Sequence, residues 1–185
     1  MKDIVIGLTG PNAAGKGEVA RALMKLGFAC HSLSDAVRDE AVALGRTTGR
    51  DDLILTGNEM RRDGGPGVLA ERILPKLCHR DVVDSIRNPA EVEVLRRNPA
   101  FVLLGVTAPP EVRFERARKR PGRGDAVGGL QAFLDKEAEE NTQDPTAQRL
   151  AATFALADRT IVNDGGLSSL RAAVAALVRD LEKEK

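Results

Sequence analysis

A glycine-rich segment near the start of the chain carries the residue types that bind phosphate. Four residues separate Gly10 from Gly15, and Lys16 follows directly, which matches the pattern G-x-x-x-x-G-K. In this pattern backbone N–H groups surround phosphate oxygens, and the lysine reaches the β and γ phosphates. The alternative is an ordinary glycine turn, but an apolar run at residues 4–8 and a following helical pattern favour the phosphate loop. The predicted nucleotide-binding residues are Gly10, Asn12, Ala13, Ala14, Gly15, Lys16, Gly17 and Glu18.

The two positions after the lysine depart from this pattern. Gly17 stands where a magnesium-binding Ser or Thr is usual, and Glu18 comes next. A metal would then be held through waters, by Glu18, or by an acid elsewhere in the chain. Alternatively, the segment binds a nucleotide without turning it over. The residues themselves leave these alternatives open.

Two pairs of an acid and an arginine follow later apolar runs. Asp35 and Arg38 lie one turn apart in a predicted helix, so Arg38 can hold an anion near Asp35, unless the two are a helix cap and a solvated side chain. Asp84 and Arg87 follow the apolar residues Val82 and Val83. An aspartate there can hold magnesium, directly or through water, and the planar fork of an arginine can clamp a phosphate. The alternative for Asp84 is a hydrogen-bonded strand end.

Further arginines and one polar turn complete the set of candidates. Arg61 reaches a second substrate or lies on a solvated helix face. A cationic run leads into a glycine-rich stretch, and cations on a hinged loop suit phosphoryl transfer. This predicts a small lid at about residues 116–129, the alternative being a solvated face. Asn163 lies in a turn that either contacts a purine edge or caps the last helix. The cationic run consists of Arg113, Arg116, Arg118, Lys119, Arg120 and Arg123.

Apolar runs and helical patterns alternate along the chain, which predicts βαβ units. We expect an α/β fold of three layers, with a five-stranded parallel sheet, helices on both faces and the small lid. Such folds bind ligands at the carboxyl ends of the strands. The chain suits one domain over residues 1–185, with an acceptor-side helical segment at about residues 34–78. The predicted strands are residues 4–8, 28–32, 81–86, 101–106 and 160–162.

Composition limits the function classes. The 185 residues are 42% hydrophobic and 30% charged, with a formal net charge of +1. Bulk electrostatics therefore favour neither a nucleic acid nor a membrane surface. Two cysteines, Cys30 and Cys78, have no metal or redox spacing, and we expect both to be reduced core residues. With no leader pattern and no apolar run of membrane length, we expect a cytoplasmic protein.

In the order and spacing of these motifs, the chain resembles nucleoside monophosphate kinases of the adenylate kinase and dephospho-coenzyme A kinase group. It is most similar to their adenylate-kinase-like archaeal relatives. Residues 10–17 are similar to the group's G-x-P-G-x-G-K-G loop, and residues 34–38 to its T-G-D-x-L-R motif. Residues 83–87 resemble D-G-F-P-R, with Ser85 in place of the glycine. Residues 157–163 resemble the A-D-x-x-I-x-N ending of dephospho-coenzyme A kinases.

The resemblance implies an ATP- and magnesium-dependent kinase acting on a nucleotide-like small molecule. Lys16 would bridge the β and γ phosphates of ATP, and Asp84 would organise magnesium. Arg38 and Arg87 would grip the acceptor phosphate, while Asp35 would orient an acceptor hydroxyl. The lid arginines that would close over the transfer are Arg116, Arg120 and Arg123. Since Gly17 and Glu18 depart from the pattern, the alternative is a nucleotide-binding regulatory module with little turnover.

Overall fold

The computed structural model describes residues 3–119 and 128–184. Arg120 and Arg123, two of the predicted lid arginines, lie outside the described residues. Five strands are present in this part of the chain: β1 Ile4–Thr9, β2 Ala29–Ser32, β3 Arg80–Asp84, β4 Phe101–Thr107 and β5 Arg159–Val162. The helices are α1 Lys16–Lys25, α2 Leu33–Ala43, α3 Arg50–Gly64, α4 Val68–Ile73, a 3-10 turn at Leu74–Lys76, α5 Pro89–Leu95, α6 Pro110–Arg118, α7 Gly129–Glu140, α8 Leu150–Phe154 and α9 Leu167–Lys183.

The strands form one parallel sheet in the order β2-β3-β1-β4-β5. Helices cover both of its faces, so the predicted parallel sheet between two helical layers is confirmed. β1 lies in the middle, and all six of its residues are buried. The chain enters the predicted phosphate loop directly from this central strand. The loop therefore stands at the carboxyl edge of the sheet, where the ends of the neighbouring strands meet.

Alternate residues of β1 serve two separate cores. Ile4, Ile6 and Leu8 pack with α1 and α9 on one face of the sheet. Val5 packs on the other face with residues of α2, α3, α4 and α5. Strand residues point alternately to opposite faces, so a central strand must be apolar at every position. This explains why residues 4–8 form one continuous apolar run.

Two helices differ from the sequence prediction in extent. The helical pattern at residues 35–44 predicts a helix that starts near Asp35, but α2 begins at Leu33, directly after the extended residue Ser32 (φ −129°, ψ 125°). The helical pattern at residues 146–157 predicts a longer helix than α8, which spans only Leu150–Phe154. The preceding residues form a turn instead, in which the carbonyl groups of Pro145 and Ala147 accept hydrogen bonds from the Asn88 side chain. A long-range contact therefore decides the structure of this segment.

The prediction of two core cysteines is wrong, since both are exposed. Cys30 lies in β2, which is an edge strand and exposes its first two residues. Cys78 lies in the connection that leads into β3. Apolar character in a short run did not reveal that one of these positions is at the sheet edge and the other in a connection. In the same described ranges, no helix is long and apolar enough to span a membrane.

Candidate active site

The phosphate loop turns tightly because three of its residues have positive φ. These are Gly10 (134°), Ala13 (59°) and Gly15 (105°). At Gly10 a Cβ atom would lie only 2.0 Å from the carbonyl oxygen of Val106, so no other residue fits there. The backbone thereby curls around a small space in front of α1. A concave run of backbone N–H groups at a helix N-terminus is a site that binds anions.

The Lys16 side chain lies across the loop. Its Nζ donates hydrogen bonds to the carbonyl oxygens of Gly10, at 2.7 Å, and Pro11, at 3.0 Å. These contacts hold the ammonium group beside the loop and at the wall of the adjoining cavity. The positive charge therefore stands where the outer phosphates of a nucleotide would lie against the loop.

Asn163 fastens the phosphate loop to the end of β5. Its buried Nδ2 donates to the carbonyl oxygen of Ala14 at 2.8 Å, and a Cβ atom on Gly15 would lie 2.2 Å from that nitrogen. Arg116 in turn donates to the carbonyl oxygen of Asn163 at 2.9 Å. The side chain of Asn163 thus contacts the loop. Arg116 is placed to hold the turn after β5.

Replacing Asn163 by alanine should loosen the loop. We expect Asn163→Ala to lower the free energy of unfolding by about 1–3 kcal/mol, because the buried Ala14 carbonyl loses its hydrogen bond. We also expect weaker ATP binding, measured by calorimetry. Asp164→Ala is the matched control, since Asp164 is the exposed neighbour. Equal behaviour of the two variants would show that the contact does not support the loop.

A cavity of about 200 Å³ adjoins the loop at the carboxyl edge of the sheet. Its apolar lining comes from Leu33, Val37, Leu53, Leu69 and Leu150. Among the described residues its charged lining is mainly cationic, with Lys16, Arg38, Arg50, Arg61, Arg87 and a single acid, Glu140. The cavity therefore suits a small anionic ligand that lies close to the phosphates of a bound nucleotide.

Two of the predicted acceptor-binding arginines line this cavity, Arg61 buried and Arg87 half-buried. Arg61 forms an ion pair with Glu91 at 2.7 Å, and both side chains are almost completely buried, at 3% and 0% exposure. Arg87 donates to Oε1 of Gln148 at 3.2 Å. Burial lowers the pKa of the Arg87 guanidinium, and the positive charges of Arg61 and Arg50 lower it further. A bound anion would offset the repulsion among these cations.

Glu91 organises this wall through a helix cap. In the capping box of α5, the Asn88 side chain accepts from the N–H of Ala90, while Glu91 Oε2 accepts from the N–H groups of Arg87 and Asn88. The other carboxylate oxygen of Glu91 binds Arg61. One buried carboxylate therefore fixes both arginines relative to each other. The sequence N-P-A-E is a capping-box signal that identifies the helix start but not its ion pair.

Asp35 and Arg38 are close together but more exposed. Arg38 Nη1 lies 2.5 Å from Asp35 Oδ1, and the Asp35 side chain is 67% exposed. Arg38 lines the cavity, whereas Asp35 is not among the described residues that do so. The pair stands at the start of α2, beside the cavity, and it would have to separate before Arg38 binds an anion through that nitrogen.

The two magnesium candidates, Asp84 and Glu18, lie in different surroundings. Asp84 stands at the carboxyl end of β3, next to β1, and its Oδ1 accepts from the N–H of Ser85 at 2.7 Å. Glu18 is paired with Arg21 on α1. No group of three metal-ligating side chains occurs within residues 3–119 and 128–184. A single carboxylate such as Asp84 fits Mg²⁺ that arrives with nucleotide phosphates and keeps most of its waters.

Residues on the far side of the loop make contacts that sequence reasoning missed, and Arg113 of the cationic run is buried there rather than on a solvated face. Arg113 pairs with Glu137 at 2.8 Å and donates to the carbonyl oxygen of Asn12. Glu137 also accepts from the N–H of Asn12 at 3.1 Å. Glu140, at the end of the helix α7 that also contains Glu137, pairs with Arg50 at 2.6 Å. These contacts join α7 to the phosphate loop and to α3, and no local pattern marks them.

The pKa of the Cys30 thiol, and with it the rate of alkylation, depends on the charge of Asp84. Partial burial raises the pKa of Cys30, and the carboxylates of Asp84 and Asp35 raise it further. Less thiolate is then present at pH 8, so we expect iodoacetamide to alkylate Cys30 more slowly in the folded protein than in the chain unfolded by urea. Asp84→Asn should speed alkylation of the folded protein. Unchanged rates, measured by peptide mass spectrometry, would contradict this electrostatic coupling.

Comparison with known proteins places the chain in a family. Residues 6–139 match the family described as AAA domain. A UPF0200 protein of Pyrococcus abyssi is 35% identical over 187 residues, covering 96% of this chain and 97% of that protein. The chain belongs to the UPF0200 family. A UPF0200 protein of Methanothermobacter thermautotrophicus is 29% identical over 189 residues, and the alignment covers 100% of this chain and 94% of that protein. The predicted similarity to archaeal relatives is thereby confirmed.

Solved structures share the fold of this UPF0200 chain. A shikimate kinase of Bacteroides thetaiotaomicron aligns with a TM-score of 0.65 at 16% identity, covering 97% of this chain and 98% of that one. The protein TT1252 of Thermus thermophilus aligns with a TM-score of 0.61 at 21% identity, covering 98% and 99%. A shikimate kinase of Acinetobacter baumannii, solved with shikimate, aligns with a TM-score of 0.55 at 16% identity, covering 98% of this chain and 96% of that one. At these identities the likeness concerns the fold alone.

Proposed function

We propose that this UPF0200 protein is an ATP-dependent phosphotransferase that moves the γ-phosphate to a nucleotide-like small molecule. The observation that carries the proposal is that Lys16 of the phosphate loop lines the same cavity as Arg38, Arg61 and Arg87. A donor phosphate on the loop and an acceptor anion among the arginines would then meet within one space. Phosphoryl transfer depends chiefly on such positioning and on charge stabilisation.

Each group has a distinct role in this proposal. The loop backbone and Lys16 hold the donor phosphates and withdraw charge from the transferred group. Arg38 and Arg87 hold the acceptor, and Asp35 orients an acceptor hydroxyl when the Arg38 pair opens. Magnesium that arrives with ATP would neutralise phosphate charge beside Asp84. The lid segment, including Arg116, Arg120 and Arg123, would exclude water from the transfer.

A second candidate is a nucleotide-binding module with little turnover. The supporting observation is that Gly17 offers no hydroxyl group, while Glu18 pairs with Arg21 on α1. This candidate predicts ATP binding without acceleration by any acceptor. Adenylate-kinase-type loops also carry glycine after the lysine, so we favour the kinase.

A panel assay separates the two candidates. Purified protein is mixed with ATP and magnesium, and ADP release is recorded with each nucleoside monophosphate, dephospho-coenzyme A and shikimate. Shikimate is included because two structurally similar proteins are shikimate kinases. Acceleration by one acceptor supports the kinase and names its substrate class. ATP binding without acceleration by any of them would favour the regulatory module.

A further inference from the structure

Two buried polar atoms in the cavity wall have no hydrogen-bond partner among the described residues. They are Nη1 of Arg61, a donor, and Oε1 of Glu140, an acceptor. Both side chains line the cavity next to the phosphate loop. Leaving a buried polar group unsatisfied is costly, and such groups in native structures call for an explanation. A ligand that forms hydrogen bonds with both atoms would explain why they have no partner in the protein.

Arg61 cannot turn its free nitrogen elsewhere. Its Nε and Nη2 donate to Glu91 Oε1 at 2.9 and 2.7 Å, and Glu91 is itself fixed by the N–H groups of Arg87 and Asn88. A Cβ atom on Gly57, another cavity residue, would lie 3.4 Å from Nη1. The glycine therefore leaves room beside this nitrogen. Glu91 acts as a positioning residue that holds an N–H donor of Arg61 at the cavity.

Glu140 offers the opposite polarity in the same cavity. Its Oε2 accepts from Arg50 Nη2 at 2.6 Å, and its side chain is 9% exposed. The remaining oxygen, Oε1, is an acceptor without a donor. It repels a second anion, whereas a hydroxyl or amino group of a ligand can donate to it. The part of the cavity wall at Glu140 therefore favours a hydrogen-bond donor, whereas the arginines favour an anion.

We propose that the acceptor substrate is an anion that also carries a hydroxyl or amino donor. Its phosphate or carboxylate binds Arg61 Nη1 and Arg87, while its donor group binds Glu140 Oε1. This inference rests on the proposed kinase function and narrows its acceptor class. A compound that lacks the donor leaves the Glu140 oxygen unpaired, and sites built to bind a substrate O–H or N–H discriminate strongly against such analogues.

The substitution Glu140→Gln tests the donor contact. Arg50 retains the amide oxygen, because only that atom of the amide accepts a hydrogen bond, and the NH₂ group then faces the cavity. The polarity toward the ligand is thereby reversed. We expect KM for the acceptor to rise by about 10²-fold, with KM for ATP nearly unchanged. Glu139→Gln is the matched control, because it removes the same charge from an exposed neighbour on α7.

The anion contact is tested by a second variant and by binding. Arg61→Lys keeps a cation for Glu91 but removes Nη1, so we expect weaker acceptor binding by calorimetry. The probes are nucleoside monophosphates, their parent nucleosides and hydroxy-carboxylic acids, which distinguish phosphate from carboxylate. Analogues of the tightest probe that lack one hydroxyl or amino group identify the donor. In the parent protein these analogues should bind more weakly than the complete probe, and in Glu140→Gln this difference in affinity should disappear.

The outcomes separate this inference from the proposed function. Acceptor-dependent ADP release that is equally affected by Glu140→Gln and Glu139→Gln overturns the inference and leaves the kinase intact. Absence of acceptor-dependent release overturns the kinase, and calorimetry then decides only whether the cavity binds an anionic ligand that carries a donor. Binding of an anionic, donor-bearing probe that weakens in Glu140→Gln but not in Glu139→Gln supports the inference. Binding of no probe, or equal binding by both variants, overturns it.

Discussion

Lys16→Ala should abolish acceptor-dependent ADP release, lowering kcat by about 10³-fold. The ammonium group lies across the phosphate loop on the carbonyl oxygens of Gly10 and Pro11, at the wall of the cavity. Charge on the transferred phosphoryl group would lose this cation in the transition state. The measurement is a coupled ADP assay at saturating ATP with the acceptor that stimulates the parent protein most.

The control for Lys16→Ala is Lys25→Ala. Lys25 is an exposed residue at the other end of α1. Its substitution therefore removes one lysine from the same helix without changing the loop. Circular dichroism checks that both variants stay folded. A Lys16→Ala protein with more than about a tenth of the parent kcat would contradict the role of this lysine in charge stabilisation.

Arg61→Met should cost about 3–5 kcal/mol of the free energy of unfolding. The variant leaves the Glu91 carboxylate buried with neither of its two guanidinium hydrogen bonds. Removing one partner of a buried ion pair leaves an uncompensated charge, which is far more costly than losing an exposed pair. Urea unfolding followed by circular dichroism measures the loss.

The matched control is Arg62→Met, which removes a charge from the next, exposed position of α3. We expect that variant to stay within about 0.5 kcal/mol of the parent. Arg61→Met combined with Glu91→Met should recover part of the loss, because the unpaired charge is then gone, although the cap of α5 is lost. If Arg61→Met alone lowers the free energy of unfolding by less than about 1 kcal/mol, the pair of Arg61 and Glu91 is not buried in solution.

The sequence was sufficient to predict the parts of the site that depend on local pattern. The phosphate loop follows from the spacing of Gly10, Gly15 and Lys16, because the chemistry of the loop lies in its own backbone. The parallel sheet follows from the alternation of apolar runs with helical patterns. Asp84 and Arg87 were expected at the edge of this sheet because they end an apolar run. All of these signals lie within a few consecutive residues.

The contacts between distant segments could not be predicted in this way. Arg61 of α3 pairs with Glu91 of α5 only when both helices contribute to the same core, and Glu140 pairs with Arg50 across 90 residues of sequence. Arg116 was predicted from a cationic run, yet its contact with the Asn163 carbonyl depends on where β5 ends. Tertiary packing, not local composition, thus selects which arginines face the cavity.

Transfer of labelled phosphate tests the central claim most directly. The protein is incubated with magnesium and ATP labelled with ¹⁸O in the γ-phosphate, together with the acceptor panel, and the products are identified by mass spectrometry. We expect the label in one anionic small molecule with the parent protein and in none with Lys16→Ala. Label that appears only in inorganic phosphate, or remains entirely in ATP, would contradict a kinase with its acceptor bound in this cavity.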